Sequence, residues 1–194
     1  MMFSLDADPD ASLTGYLLIA MPSLMDRTFQ QTVIFLCAHS PQDGAMGLVV
    51  NRRLVEPGFD DLLAQLDIEP APPKRRIALC SGGPMESSRG FVLHSSDWTG
   101  DGSLTVDDGI VLTASLDVLR EIADGQGPAK ALLALGHATW SPGQLESEIR
   151  QNAWLPAPSS DAIVFGTDHD KKWRRAMAMV GVDPLRLVGG VGNA

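Results

Sequence analysis

The sequence has few basic residues for its length. Of 194 residues, 15 are Lys or Arg and 24 are Asp or Glu, which gives a formal net charge of −9. Proteins that bind nucleic acids or anionic membranes nonspecifically need concentrated positive charge to neutralise phosphates. We therefore expect no nucleic-acid and no membrane partner. The basic runs 74–76 and 171–175 are interpreted as solvated faces, the second on the outside of the last helix.

Cysteines and long apolar runs are also scarce. Cys37 and Cys80 each lie in an apolar, strand-like run, where a cysteine behaves as a small buried hydrophobe. No run approaches the roughly 20 apolar residues that cross a bilayer. Residues 1–10 are acidic and lack the basic start and apolar stretch of a signal peptide. We therefore expect a soluble cytoplasmic protein with reduced cysteines.

Common catalytic and cofactor motifs are missing. The sequence has no dinucleotide or phosphate-loop glycine signature, no His-x-x-x-His or His-Glu-x-x-His spacing, and no Gly-x-Ser-x-Gly. We expect no cofactor and no metal. An enzyme would have to assemble its catalytic groups from distant segments.

Hydrophobic periodicity predicts strands and helices that do not alternate strictly, which favours an α+β fold over a doubly wound parallel sheet. The predicted strands are 14–21, 32–39, 46–51, 77–81, 90–95, 105–106, 110–112, 131–135 and 162–165. The predicted helices are 59–66, 116–123, 141–150 and 173–180. For the helix at 141–150, Ser141 is expected at the N-cap, Pro142 at the first helical position, and Gln144 closing a capping box.

Two dense polar-and-glycine segments, 81–94 and 136–149, lie among these core patterns. Together with several shorter stretches they resemble the AlgH/YqgE family of small bacterial proteins. The matching stretches, in order, are 15–22 (GYLLIAMP), 47–52 (GLVVNR), 82–86 (GGPME), 89–94 (RGFVLH), 113–115 (TAS), 136–146 (GHATWSPGQLE) and 152–155 (NAWL). Each short motif is weak alone, but their combination over most of the chain is specific.

The resemblance implies one compact domain with mixed, mainly antiparallel, barrel-like β structure surrounded by about four helices. We place this domain at residues 13–190, between an N-terminal tail (1–12) and a C-terminal tail (191–194); the glycine-rich end from Val188 onward is expected to fray. Some family members carry a transcriptional-regulator name, which implies an indirect effect on gene expression. The resemblance brings no established reaction and no catalytic residues.

The candidate site is a polar cluster drawn from the two polar segments. If strands 77–80 and 131–135 run in the same direction in one sheet, the loops that follow them emerge at one edge. Gly82 and Gly83 either cradle an anion or form a tight turn. Glu86 and Arg89 either form an ion pair or leave Arg89 to bind a carboxylate or phosphate. The expected cluster comprises Gly82, Gly83, Glu86, Arg89, His94 and His137.

Three functions compete for this cluster. We favour a non-enzymatic protein that binds a partner protein or a small anionic ligand, in gene regulation. The alternative is a hydrolase-type enzyme that uses His94, His137 and a carboxylate from Glu86 or Asp97. Direct DNA binding ranks last, because of the charge and the lack of an evident helix-turn-helix.

Overall fold

The computed structural model describes residues 11–188, and within them the chain forms nine strands, six α-helices and one 3-10 helix. The strands are β1 (Leu17–Ala20), β2 (Val33–Ser40), β3 (Gly44–Val49), β4 (Ala78–Ser81), β5 (Met85–Ser95), β6 (Ser103–Asp107), β7 (Ile110–Thr113), β8 (Ala131–Trp140) and β9 (Trp154–Ala157). The helices are α1 (Phe59–Gln65), α2 (Asp117–Ala123), α3 (Gln144–Arg150), α4 (Asp161–Val164), α5 (Lys172–Met179) and α6 (Pro184–Val188), and the 3-10 turn is His169–Lys171.

The strands form one curled, mainly antiparallel sheet, a half-barrel in the order β6-β7-β5-β8-β3-β2-β1-β9. The parallel pair is β4 with β8, which lies off this path. The α+β fold with barrel-like, mainly antiparallel β structure is therefore confirmed. The pairs β2–β3 and β6–β7 are antiparallel hairpins, as their short connections require.

Both faces of the sheet are covered, which explains strands that are apolar throughout. The four residues of β1 are all buried, because alternate side chains enter two different cores. The inner core joins Leu17 and Phe35 to Trp173 and Met177 of α5. A second core lies under α3, and a third lies between the sheet and helices α1 and α2.

One predicted strand is wrong, and two elements of the structure were not predicted. The apolar run 162–165 is not a strand, because it follows Asp161 into the short helix α4; runs this short do not distinguish strand from helix by periodicity. Strand β9 contains Pro156, which the sequence pattern disfavours, and the sheet tolerates it because β9 is an edge strand. Helix α6 follows Asp183 and brings the α-helices to six, not about four.

The N-cap assignment at Ser141 is also wrong. Helix α3 begins at Gln144 after Gly143, which has a φ of 78°, and no side chain caps it. Half of the expected capping box is present, because the Ser141 N–H donates to Gln144 Oε1 at 2.9 Å. The glycine in a left-handed conformation turns the chain into the helix one residue after Pro142, so the Ser141 hydroxyl is not needed there.

Among residues 11–188, no helix combines the length and apolarity needed to cross a bilayer. Some predictions fall outside the described residues: the domain boundary at residue 190, residues 1–10 of the N-terminal tail, and the tail 191–194. The same holds for most of the segment expected to fray after Val188.

Candidate functional site

The two polar-glycine segments meet where the chain crosses strand β8. Strand β4 pairs with β8 in parallel on one side, and β5 pairs with β8 antiparallel on the other side. The connection between β4 and β5 must therefore pass over β8, and it does so with residues 82–84 against Gly136 and His137. We call this contact the crossing. It confirms the prediction that strands 77–80 and 131–135 run in the same direction and bring the two segments together.

Three glycines allow the backbones to touch at the crossing. A Cβ on Gly82 would lie 2.3 Å from the Gly136 carbonyl oxygen, and one on Gly83 would lie 2.3 Å from the His137 carbonyl carbon. A Cβ on Gly136, whose φ is 80°, would lie 2.4 Å from the Gly83 oxygen. No side chain fits at these separations, so glycine is required by backbone contact as well as by torsion.

Gly82 is also bound into the sheet on both sides. Its N–H donates to Leu135 O at 2.7 Å, and its carbonyl accepts from the Val49 N–H at 2.9 Å. A backbone group that cradles an anion must have its N–H free. The Gly82 N–H is therefore not available to an anion, which argues against a cradle that uses Gly82.

Beyond the crossing, strand β5 begins with an exposed bulge, which we define as residues 84–89. Met85 pairs with His137 and Gly90 pairs with Leu135, so four residues of β5 face one residue of β8. All six bulge residues are exposed, and Glu86 has a φ of 44°, which is unfavourable for a residue with a side chain. Strand β7 pairs with β5 only from Val92 onward. Within residues 11–188, the outer edge of residues 85–91 therefore has no partner strand.

Arg89, Phe91 and His137 stack beside the bulge. The Arg89 guanidinium lies 4.9 Å from the centre of the Phe91 ring, and the His137 ring meets the same ring edge-on at 5.7 Å. Arg89 also forms an ion pair with Glu86 at 3.2 Å, with both side chains more than half exposed. His137 Nδ1 is buried and has no hydrogen-bond partner among the described residues. The structure therefore brings Gly82, Gly83, Glu86, Arg89 and His137 together.

His94 does not belong to this neighbourhood. It pairs with Ala131, six residues before His137 on β8, which is roughly 20 Å along the strand. The His94 ring is fully buried; Nδ1 donates to Ser95 O at 2.9 Å, and Nε2 accepts from the Thr113 hydroxyl at 2.7 Å. Burial lowers the pKa of His94, which keeps the ring neutral. Its place in the predicted cluster is therefore corrected: His94 is part of a separate, satisfied network.

The two carboxylates named for the hydrolase alternative, Glu86 and Asp97, have other partners. Glu86 pairs with Arg89. Asp97 accepts hydrogen bonds from the Ser95 hydroxyl at 2.5 Å and the Ala129 N–H at 2.9 Å, and these bonds lower its pKa. Glu146, in the second polar segment, binds His39 at 2.5 Å. The hydrolase arrangement that uses both His94 and His137 is therefore not assembled, because the two histidines lie roughly 20 Å apart along β8.

A buried polar group that the sequence analysis missed lies around the Val50 carbonyl. This oxygen accepts from Lys172 Nζ at 2.9 Å, from His169 Nδ1 at 3.2 Å, and from the Cys80 thiol at 3.8 Å. Lys172 also donates to Val164 O at 2.8 Å. Burial lowers the pKa of Lys172 to about 8 and raises that of Cys80 to about 11.

The prediction that all of residues 171–175 face solvent is therefore wrong at Lys172, which is 1% exposed. The signal was present in the sequence. Lys172 lies four residues before Ala176 and beside Trp173, so it belongs to the apolar face of α5. Lys172 was assigned to the solvent-facing side because it is charged, although its position in the helical period places it on the apolar face.

The family follows from the whole chain. A sequence model of the AlgH-like family matches residues 17–185, nearly all of the described structure. The chain belongs to the AlgH-like family. A UPF0301 protein of Gluconobacter oxydans is 63% identical over 95% of this chain and 100% of its own length. A UPF0301 protein of Rhodospirillum rubrum is 48% identical over 94% of each chain.

Solved structures agree with this assignment. The solution structure of the AlgH protein from Pseudomonas aeruginosa is 40% identical and covers 97% of this chain and 98% of its own, with a TM-score of 0.76. A crystal structure of a Corynebacterium diphtheriae protein, at 22% identity and a TM-score of 0.68, shares the fold. In this AlgH-like chain, the stretches 82–86 and 136–146 that carry the sequence resemblance are the ones that form the crossing.

Proposed function

We propose that this AlgH-like chain is a non-enzymatic binding protein that acts by docking a partner protein on the bulge, residues 84–89. The observation that carries the proposal is that the bulge has a strained backbone but adds no side chain to a core. Three glycines and a left-handed Glu86 maintain a segment that buries no side chain between Pro84 and Arg89. Strained backbone that contributes nothing to a core is characteristic of functional sites.

A protein partner fits the bulge better than a small anion does. The bulge residues are exposed, and two cavities of about 430 Å³ are lined by other residues. The Gly82 N–H is already used by the sheet. Small ligands are usually enclosed by a concave pocket, whereas an open segment matches an extended protein surface.

The chemistry of the surface supports recognition of an extended acidic segment. The outer edge of residues 85–91 offers backbone groups to an added strand. Arg89 is held over Phe91 and forms an ion pair with exposed Glu86, which an incoming carboxylate can replace at little cost in free energy. Met85, 47% exposed, adds an apolar contact at the start of the strand.

In the cell, we propose a cytoplasmic regulatory role in which gene expression changes through the bound protein. The net charge of −9 disfavours direct contact with DNA. We therefore propose that any effect on gene expression passes through contact with a partner protein.

The proposal is tested by affinity enrichment from bacterial cells that express the tagged full-length protein. Three versions are compared by quantitative mass spectrometry: the wild type, the bulge variant Met85→Asp/Arg89→Glu, and the control Arg120→Glu. The control is matched, because Arg120 and Asp117 form another exposed i,i+3 ion pair, with exposures of 56% and 59% against 57% and 55% for Arg89 and Glu86.

We expect at least one protein to be enriched equally by the wild type and the control and to be lost with the bulge variant. Equal enrichment by all three versions would contradict the proposal. Thermal unfolding of each variant checks that the fold is intact, and exposed side chains away from caps typically change stability by less than about 0.5 kcal/mol.

A further inference from the structure

A second surface, distant in sequence from the bulge, combines a cavity with unpaired positive charge. A cavity of about 430 Å³ lies between α5, the residues that follow it, and the end of β1. Its apolar wall comprises Trp173, Val182, Pro184 and Leu185. The Trp173 indole is fixed by a hydrogen bond from Nε1 to Ala20 O at 2.8 Å.

Two charged side chains of opposite sign, Arg174 and Asp183, line the cavity. Residues 168–186 contain five Lys or Arg and three Asp, in a chain with a net charge of −9, but Lys172 is buried and bonded to Val50 O and Val164 O. Lys171 pairs with Asp168 and Arg186 with Asp183. Arg174 lines the cavity, and no carboxylate among residues 11–188 forms an ion pair with it.

Exposed apolar side chains complete the surface. Leu185 is 77% exposed at the cavity rim, and Met179, at the end of α5, is 45% exposed. Large apolar side chains exposed next to unpaired arginines are typical of the anchoring part of a protein interface, where apolar anchors and Arg contribute most of the affinity.

We propose that this surface, lined by Trp173, Arg174, Val182 and Leu185, docks an acidic peptide segment of a partner protein. An apolar side chain of the peptide enters the cavity, and an adjacent carboxylate binds the Arg174 guanidinium. The cavity volume suits one or two large side chains. The unpaired Arg174 selects negative charge, and a planar guanidinium can bind a carboxylate with two parallel hydrogen bonds.

A random dodecapeptide phage library panned on the immobilised full-length protein tests this assignment. Enriched peptides are then synthesised, and their affinities are measured by fluorescence anisotropy. The proteins compared are the wild type, Arg174→Glu, Leu185→Asp, and Arg120→Glu as a charge-reversal control on a different helix. Both tested positions are exposed, and two separate variants keep the test valid if one of them unfolds.

We expect enriched peptides with Asp or Glu next to Leu, Phe or Trp, and affinities about tenfold or more lower for Arg174→Glu and Leu185→Asp. Arg120→Glu and the bulge variant Arg89→Glu should bind as the wild type does, which separates this surface from the bulge. Basic peptides, or equal affinities for all proteins, would overturn the proposal. So would an Arg174-dependent complex with a 20-base-pair DNA duplex, or concentration-dependent self-association, in place of peptide binding.

Discussion

The two ends of strand β5 differ in almost every physical respect. At its start, residues 85–89 are exposed, bulged and without a strand on their outer edge. At its end, His94 is fully buried and bonded on both ring nitrogens. The Thr113 hydroxyl that binds His94 also lies 2.8 Å from the Ser103 hydroxyl, so the network continues into β6.

The comparison shows that polar residues in one strand can have two different roles. Both ends carry side chains common in active sites, yet one end satisfies its polar groups within the core and the other presents them to solvent. Packing decides the difference: β7 covers β5 from Val92 onward and stops before the bulge. A structural role follows for His94, whereas the bulge is the exposed surface for which we propose an interaction role.

The largest expected effect is at the crossing. Gly136→Ala places a Cβ 2.4 Å from the Gly83 oxygen in a conformation with a φ of 80°. We expect a loss of more than about 4 kcal/mol of unfolding free energy, or no folded protein, because backbone must move to relieve the contact. Urea unfolding followed by circular dichroism measures it.

Gly143→Ala is the matched control, because Gly143 has a φ of 78° and a Cβ there meets no atom within 4 Å. The strain alone costs about 1–2 kcal/mol. Similar losses for the two variants would show that backbone contact at the crossing is unimportant.

Lys172 gives the next largest effect, and it depends on pH. Its pKa in the folded state, about 8, lies below the ordinary value of 10.5, so folding disfavours the charged form. The unfolded chain then binds more protons between pH 8 and 10.5, and stability gains about 3 kcal/mol across this window as pH rises. We expect the gain in the wild type relative to Lys172→Met, by urea unfolding at several pH values.

The Lys172→Met reference is needed because Cys80 acts in the opposite direction. The pKa of the Cys80 thiol is raised from 9.0 to about 11, so the contribution of this thiol to stability is lost as the pH rises from 9.0 to about 11. Both proteins contain Cys80. A difference between wild type and variant that stays constant from pH 8 to 10.5 would mean that Lys172 is not desolvated.

The histidines at the two ends of β5 should respond differently to truncation. His94→Ala removes a buried ring and leaves Thr113 without its acceptor, so we expect a loss of about 2–3 kcal/mol. His137→Ala removes a half-buried ring with an unsatisfied Nδ1, and we expect about 1 kcal/mol or less. Thermal unfolding midpoints would contradict the comparison if the His137 variant were the less stable one.

Ser141→Ala should have the smallest effect. The hydroxyl makes no capping bond, and the Ser141 N–H that binds Gln144 remains in the variant. We expect a change below about 0.5 kcal/mol, the usual limit for surface positions. A loss of 1 kcal/mol or more would restore Ser141 as the N-cap.

The sequence predicted that the two polar segments lie together, but not the backbone contact that forms the crossing. Two polar segments that follow strands of like direction must share an edge, and the pattern around Cys80 and Ala134 was enough to place both strands. The pattern could not show that Gly136 lies under the chain of Gly83, because pairing of β4 and β5 on opposite sides of β8 is a tertiary property. The separation of His94 from His137 has the same origin, since it depends on register.

Short segments and buried charges account for the remaining errors. The apolar run at 162–165 is too short for its periodicity to distinguish a strand from a helix. The edge strand β9 was not predicted because it contains Pro156. Lys172 was assigned by its charge, although its position on α5 is apolar. In each case, contacts distant in sequence outweighed local residue preference.

The central claim, that the bulge is the contact surface for a partner, is tested most directly by photo-crosslinking in living cells. A benzophenone amino acid replaces Ser87, at the centre of the bulge, or Leu104, which is 55% exposed on edge strand β6. On irradiation, we predict a discrete higher-mass adduct with another protein from position 87 and none from position 104. The absence of an adduct at 87, or the same adduct at both positions, would contradict the account.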